Sequence, residues 1–271
     1  MITRTGRRPR LRVAGGCLAA LLTVGACSSG SSGSGSASAS GSASAAVTGT
    51  VTVFAAASLK ESFTTLGQQF EQAHPGTKVV FNFAGSDALA ASIVGGAPAD
   101  VFAAASPATM KTVTDKGDAA GDPATFARNQ LEIATVPGNP QQIATLQDLA
   151  RPGLKVVLCA KEVPCGAAAQ KALAAGNVQL TPVSYEQDVK GALTKVELQE
   201  ADASLVYQTD VKSAAGKVDG VPFAEASSAI NDYPIATLAH APNSAGAAAF
   251  VALVESPQGR QVLADAGFLS P

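Results

Sequence analysis

Hydrophobic positions along this chain switch repeatedly between a strand-like run and a helical spacing. Val51–Ala57 is a short, nearly continuous apolar stretch of strand length. It leads through Ser58 into Leu59, Phe63, Leu66 and Phe70, whose spacing predicts an amphipathic helix over 60–73 with one buried face. His74-Pro75-Gly76 stops that helix, and Lys78–Phe83 reads as a second strand, followed by a helix over Asp87–Val94. Gly95–Asp100 turns the chain into a strand over Val101–Ala104, and Ser106-Pro107 supplies the cap and first residue of another helix.

The same alternation resumes near Gln130. Leu131–Val136, Leu154–Leu158, Ala203–Tyr207 and Pro234–Leu238 are predicted strands. Gln147–Leu149, Ala167–Ala175 and Val189–Leu198 are predicted helices between them. Ser244–Val254 and Pro257–Ala266 close the chain as helices, the last capped by Ser256 and stopped by Gly267. Strands alternating with helices predict an α/β fold of open sheets, covered on both faces, with ligands collecting at strand ends.

The N-terminal segment follows a different pattern. Arg4, Arg7, Arg8, Arg10 and Arg12 precede an apolar stretch over Val13–Ala26 that is too short to span a bilayer comfortably. Val24-Gly25-Ala26-Cys27 resembles a bacterial lipobox, which implies a lipoprotein signal peptide over 1–26 and lipid attachment at Cys27. Cys17 also follows small residues, but the apolar run continues past it. The Ser/Gly/Ala-rich composition that follows, over 27–47, cannot bury a core and reads as a tether. The expected location is therefore the outer face of the cell membrane.

Charge and cysteine usage narrow the function. The formal net charge of −2 becomes about −7 once the arginine-rich leader is removed. An acidic chain with few aromatics and no tryptophan argues against nucleic acid as a partner. Cys159 and Cys165, six positions apart, are expected to pair as a disulfide in an exported protein. With His74 and His240 the only histidines, a metal site is not expected, and neither is a Ser-His-Asp arrangement. Neither Ser58 nor Ser86 sits in a G-x-S-x-G turn, so no enzyme is expected.

Five places carry candidate chemistry. Ser58 and Ser86 each follow a strand and a small-residue turn at the start of a helix. There a serine is ordinarily an N-cap, but it can also offer hydroxyl and backbone N–H groups to an anion. Val163-Pro164-Cys165-Gly166 and Gln187-Asp188-Val189 open two further helices, which places the N–H groups of Cys165 and Val189 in first turns. Ser204–Tyr207 ends a strand with a tyrosine hydroxyl.

In order, these segments resemble the molybdate-binding proteins of bacterial ABC importers. The resemblance covers essentially 50–271 and is strongest in Val53-Phe54-Ala55-Ala56-Ala57-Ser58-Leu59 and Gly96-Ala97-Pro98-Ala99-Asp100-Val101-Phe102. It continues through Val163-Pro164-Cys165-Gly166, Asp188-Val189-Lys190-Gly191-Ala192-Leu193 and Val206-Tyr207, in the same order. It implies a two-lobed fold, like the type II periplasmic binding proteins, with the ligand held between lobes. Lobe 1 is expected over 48–128 and 231–271, and lobe 2 over 129–230. It also implies molybdate and tungstate as ligands, held by Ser58, Ser86, Cys165, Val189 and Tyr207. Molybdenum enters only as the bound oxyanion, no cofactor is implied, and the partner is a membrane permease served by a monomer. Two positions depart from the family pattern. Cys165 stands where alanine is common, and Gly85 stands where serine is frequent. The alternative is a binding protein for another tetrahedral oxyanion, sulfate or phosphate.

Overall fold

The computed structural model describes residues 47–271. The leader, Cys27 and nearly all of the expected tether lie outside the described residues. Within the Ser/Gly/Ala-rich stretch, Val47 packs against the first core and its carbonyl accepts from Thr77 Oγ1 at 3.0 Å.

The strands form two five-stranded sheets with matching plans. In the first, β1 (Gly49–Ala56) lies parallel between β2 (Thr77–Ala84) and β3 (Val101–Ala103). An antiparallel β10 (Asn231–Thr237) then separates β3 from β4 (Ala124–Asn129). In the second, β6 (Val156–Cys159) lies parallel between β7 (Ser184–Glu186) and β8 (Ala203–Tyr207). There β5 (Leu131–Thr135) is the antiparallel strand, between β8 and β9 (Asp219–Val221). The chain therefore crosses between sheets twice, from β4 to β5 and from β9 to β10. The helices are α1 (Lys60–Ala73), α2 (Ser86–Val94), α3 (Pro107–Thr114), α4 (Pro164–Ala175), α5 (Val189–Glu197), α6 (Gln208–Ser213), α7 (Ser244–Glu255) and α8 (Pro257–Ala266).

The period-two alternation of the first sheet divides its core into two. Val51, Val53 and Ala55 of β1 face α1, α7 and α8, together with Val101, Ala103, Tyr233 and Ile235. Phe54, Phe102 and Ala236 point to the other face and meet Leu89, Ile93, Met110 and Val113 of α2 and α3. Phe63 is the hub of the first core, with ring centroids 5.8 Å from Phe126 and 5.9 Å from Phe250. The second sheet has one continuous core, in which Ile133, Val157, Leu158, Leu205 and Val206 pack against Ala168, Ala172, Leu193 and Val196.

Asp100 explains why the Gly96–Asp100 turn carries an acid. Its buried carboxylate accepts from Thr52 N at 2.7 Å and from Asn243 N at 2.6 Å. It thus joins β1 to the segment entering α7 and satisfies backbone donors that would otherwise be buried without a partner.

Strand β10 starts three residues earlier than its apolar pattern suggests, and Pro234 lies inside it. A proline cannot donate to a ladder, and the pairing with β4 shifts register between Tyr233 and Pro234. Strand β4, with its polar ends, and the short β7, β9 and α6 carry too little apolar pattern to be read from sequence.

Phe63→Ala should lower unfolding free energy by about 3–5 kcal/mol, because the neighbouring rings cannot all collapse into the space. Urea denaturation of the mature protein measures this, and a loss under 1 kcal/mol would contradict the packing.

Candidate functional site

Helix starts from both lobes converge on one small cavity. Its thirteen lining residues include Ser58, Ser86, Cys165, Val189 and Tyr207, all five positions singled out in the sequence. The space open to the centre of a water-sized sphere is ≈ 20 Å³. That exceeds the roughly 10–15 Å³ one water needs and suits a compact solute, not a sugar or peptide.

Neither serine caps its helix. Ser58 is the middle residue of a 3₁₀ turn, Ala57–Leu59, whose cap position is Ala56. Ser86 is the first residue of α2, after Gly85, and makes no side-chain cap bond. Cys165 is the second residue of α4, behind Val163 and Pro164, and Val189 is the first of α5. First-turn N–H groups have no intrahelical partner, so these positions offer free donors and the positive end of the helix dipole.

The three hydroxyls are each engaged from behind. Ser86 Oγ accepts from Ala105 N at 3.0 Å. Tyr207 Oη accepts from Asn231 Nδ2 at 2.7 Å. Ser58 Oγ lies 2.9 Å from Tyr233 Oη, which in turn is 3.5 Å from Asn129 Nδ2. Burial pushes the Tyr207 hydroxyl well above its ordinary range and raises Tyr233 as well, so both remain protonated donors at neutral pH. Among the lining residues only Asp188 is charged, and its Oδ1 accepts from Gly191 N at 2.9 Å as the cap of α5.

Sequence reasoning missed Tyr233, Asn129 and Asn231. They do not line the cavity themselves: Tyr233 and Asn231 bond to residues that do, Asn129 bonds to Tyr233, and no local motif marks them. The signal available was their position at the two crossings, where Asn129 and Asn231 are Cα partners.

Two features hold the second lobe's donors in place. Cys159 and Cys165 are joined as a disulfide around Ala160–Pro164, the turn that leads into α4. Gly166 packs directly on the Ala160 carbonyl, leaving no room for a Cβ. Across the cleft, a Cβ on Gly85 would come within 2.5 Å of the Gln187 carbonyl oxygen. Glycine at this position therefore lets the lobes approach.

Beside the cavity, Lys190 of α5 joins both lobes. Its Nζ lies 2.9 Å from Glu61 on α1 and 3.1 Å from Ser213 Oγ. It lies 3.1 Å from Asp210 Oδ1 as an ion pair without hydrogen-bond alignment. Asp210 is fully buried and its Oδ2 accepts from Tyr207 N at 3.2 Å. Burial raises its carboxyl from 3.8 to about 6, despite the opposing charge of Lys190. For Lys190 burial works downward, but Asp210 and Glu61 outweigh it and hold the ammonium above its usual value.

Similarity to known proteins decides the family. The model for "Bacterial extracellular solute-binding protein" matches residues 51–269. The molybdate-binding protein ModA of Mycobacterium tuberculosis H37Rv is 46% identical over 219 residues, covering 81% of this chain and 84% of that protein. The chain belongs to the ModA family. As a ModA-family solute-binding protein it is an extracytoplasmic binding component, not an enzyme. Its fold is shared with the periplasmic molybdate-binding protein of Azotobacter vinelandii. That match has a TM-score of 0.70 at 22% identity and covers 82% of this chain and 99% of that one. The sulfate-binding protein SubI of M. tuberculosis H37Rv matches with a TM-score of 0.67 at 19% identity, covering 81% and 86%. The fold alone therefore does not choose between oxyanions.

Two measurements check this site. The Asp210 carboxyl, facing Lys190, Glu61 and Tyr207, holds its proton more tightly folded than unfolded. Its contribution is greatest below pH 4 and falls as pH rises through about 6. Urea unfolding from pH 4 to 7 should show wild type losing up to about 3 kcal/mol relative to Asp210→Asn; parallel pH profiles would refute the assignment. Replacing Cys159 and Cys165 together with serine should leave the far-ultraviolet circular dichroism native and weaken oxyanion binding a few-fold, by loosening the α4 turn. Unchanged affinity would show that the disulfide does not order the site.

Proposed function

We propose that this protein captures molybdate, and tungstate with little discrimination, outside the cell and delivers it to an ABC importer. The observation that carries this reading is a small cavity lined from both lobes by hydroxyls and first-turn N–H groups, with no cationic side chain among its lining residues. A tetrahedral dianion has only acceptor oxygens, so buried neutral donors can match it without an ion pair. In this reading Ser58 and Ser86 give hydroxyl and N–H groups, Cys165 and Val189 give N–H groups, and Tyr207 gives its hydroxyl. Hydrogenphosphate is disfavoured because its O–H would face donors and meet no acceptor. Sulfate has the same charge in a smaller shell, so cavity size must exclude it.

Similarity to ModA proteins of 46% identity supports molybdate over the other oxyanions. The Val24–Cys27 segment supports attachment by lipid at Cys27, leaving a monomeric binding unit tethered at the membrane where its permease sits. Closure of the lobes over the ligand excludes water and presents a composite surface for that permease.

Calorimetric titration with molybdate, tungstate, sulfate and phosphate tests the reading. Molybdate and tungstate should bind tightly and raise Tm with concentration, while sulfate and phosphate bind far more weakly. Equal Tm shifts by sulfate and molybdate at equal concentration would reassign the ligand. Ser58→Ala, Ser86→Ala and Tyr207→Phe should each lose about 1.5–3 kcal/mol of binding energy. Wild-type affinity in both serine variants would refute the pocket.

A further inference from the structure

We propose that Asn231 is a positioning residue that makes the Tyr207 hydroxyl an obligate donor, and so helps set selectivity for oxyanions that carry no proton. The inference rests on the oxyanion reading above. It concerns a residue that does not line the cavity and bears on how a hydroxyl, which can donate or accept, is committed to one role.

The orientation of the Asn231 amide is settled by its surroundings. The same Nδ2 atom lies 2.8 Å from the Ala105 carbonyl oxygen and 2.7 Å from Tyr207 Oη, with the Pro164 carbonyl oxygen at 3.4 Å. A carbonyl oxygen can only accept, so the group facing it must be the NH₂. Its two hydrogens go to the two short contacts. Tyr207 Oη is therefore an acceptor toward Asn231, and its own hydrogen, not needed there, is available to the cavity it lines, with the Tyr233 hydroxyl engaged by Ser58 and Asn129. Burial keeps that hydroxyl protonated.

Asn231 is itself buried at the start of β10, beside Asn129 at the end of β4. Through one nitrogen it reaches Ala105 in the first lobe and Tyr207 in the second. Ala105 N donates to Ser86 Oγ, so one residue at the crossing supports hydroxyl donors on both sides of the cleft.

Asn231→Asp reverses the polarity at nearly constant shape. Ionised, its Oδ2 accepts from the Tyr207 hydroxyl. Protonated, it donates to Ala105 and still accepts from Tyr207. In either case the tyrosine turns a lone pair toward the cavity. Such a site repels an acceptor-only oxyanion and gains a partner for a protonated one.

The test is a double-mutant cycle on the mature protein, titrated calorimetrically with molybdate, combined with a selectivity measurement. Asn231→Ala should weaken binding on the order of tenfold in the wild-type background and less than threefold in Tyr207→Phe, because its effect passes through that hydroxyl. Asn231→Asp should weaken molybdate at least as much and raise the affinity ratio of hydrogenphosphate to molybdate by tenfold or more. A structural role alone would cost the same factor in both backgrounds and leave the ratio unmoved; either result overturns the proposal. If Asn231→Ala does not fold, the isosteric Asn231→Asp ratio decides. If wild type binds sulfate in place of molybdate, the functional reading fails, and the same cycle run with sulfate still decides the role of Asn231.

Discussion

A buried anion with no buried cation beside it imposes one constraint on everything nearby: each group that faces it must donate. Helix starts meet this at the backbone, because their first N–H groups are unclaimed and point outward along the axis. Hydroxyls meet it only if their lone pairs are occupied from behind. Ala105 N behind Ser86 and Asn231 behind Tyr207 have this arrangement, and Ser58 is paired at the rear with the Tyr233 hydroxyl. The small residues around the cavity follow from the same constraint, since Ala56, Ala57, Ala84 and Gly85 let backbone approach where a larger side chain would intervene.

Cationic groups are kept outside this layer and used to join the lobes, and the one acid in the lining, Asp188, is committed to capping α5. Lys190 follows the Val189 donor directly, yet its ammonium turns to Glu61 and Asp210. The cost appears in Asp210, whose carboxyl is pushed up to about 6 by burial. Charge that would dominate a small cavity if it lined it is instead neutralised one residue away, where it ties α5 to α1. Gly85 and Gln187 form a second, purely steric contact between lobes. This ion cluster and this close backbone approach join the lobes alongside the hydrogen bonds of Asn129 to Thr209, Asn231 to Tyr207 and Gln208 to the Gly267 carbonyl.

Elements with strong apolar periodicity were legible in the sequence. The α1 stripe of Leu59, Phe63, Leu66 and Phe70 and the β1 run of Val51 and Val53 settle into the core as their spacing requires. The five candidate site positions were legible because strand, small turn and helix start are local patterns, and the structure brings all five to one cavity. Tyr233 and Asn231 were not, because their roles depend on contacts with residues 175 and 24 positions away. Ser58 and Ser86 look like N-caps in sequence, and only the fold shows that their oxygens are taken elsewhere. Pro234 misplaced the start of β10, since the bulge that accommodates it is a property of the pairing with β4.

The position of β10 has a consequence for the order of assembly. It lies between β3 and β4, so the first sheet lacks its interior strand until the chain has been made as far as Thr237. The second sheet, by contrast, is complete once Val221 is available. Formation of the first core must then close a loop of roughly a hundred residues between β4 and β10, a non-local step that slows folding. A nascent chain of this topology stays uncommitted until almost all of it has been synthesised. Late completion of the first sheet thus makes the segment from β4 to β10 fold around a second sheet that can already have formed.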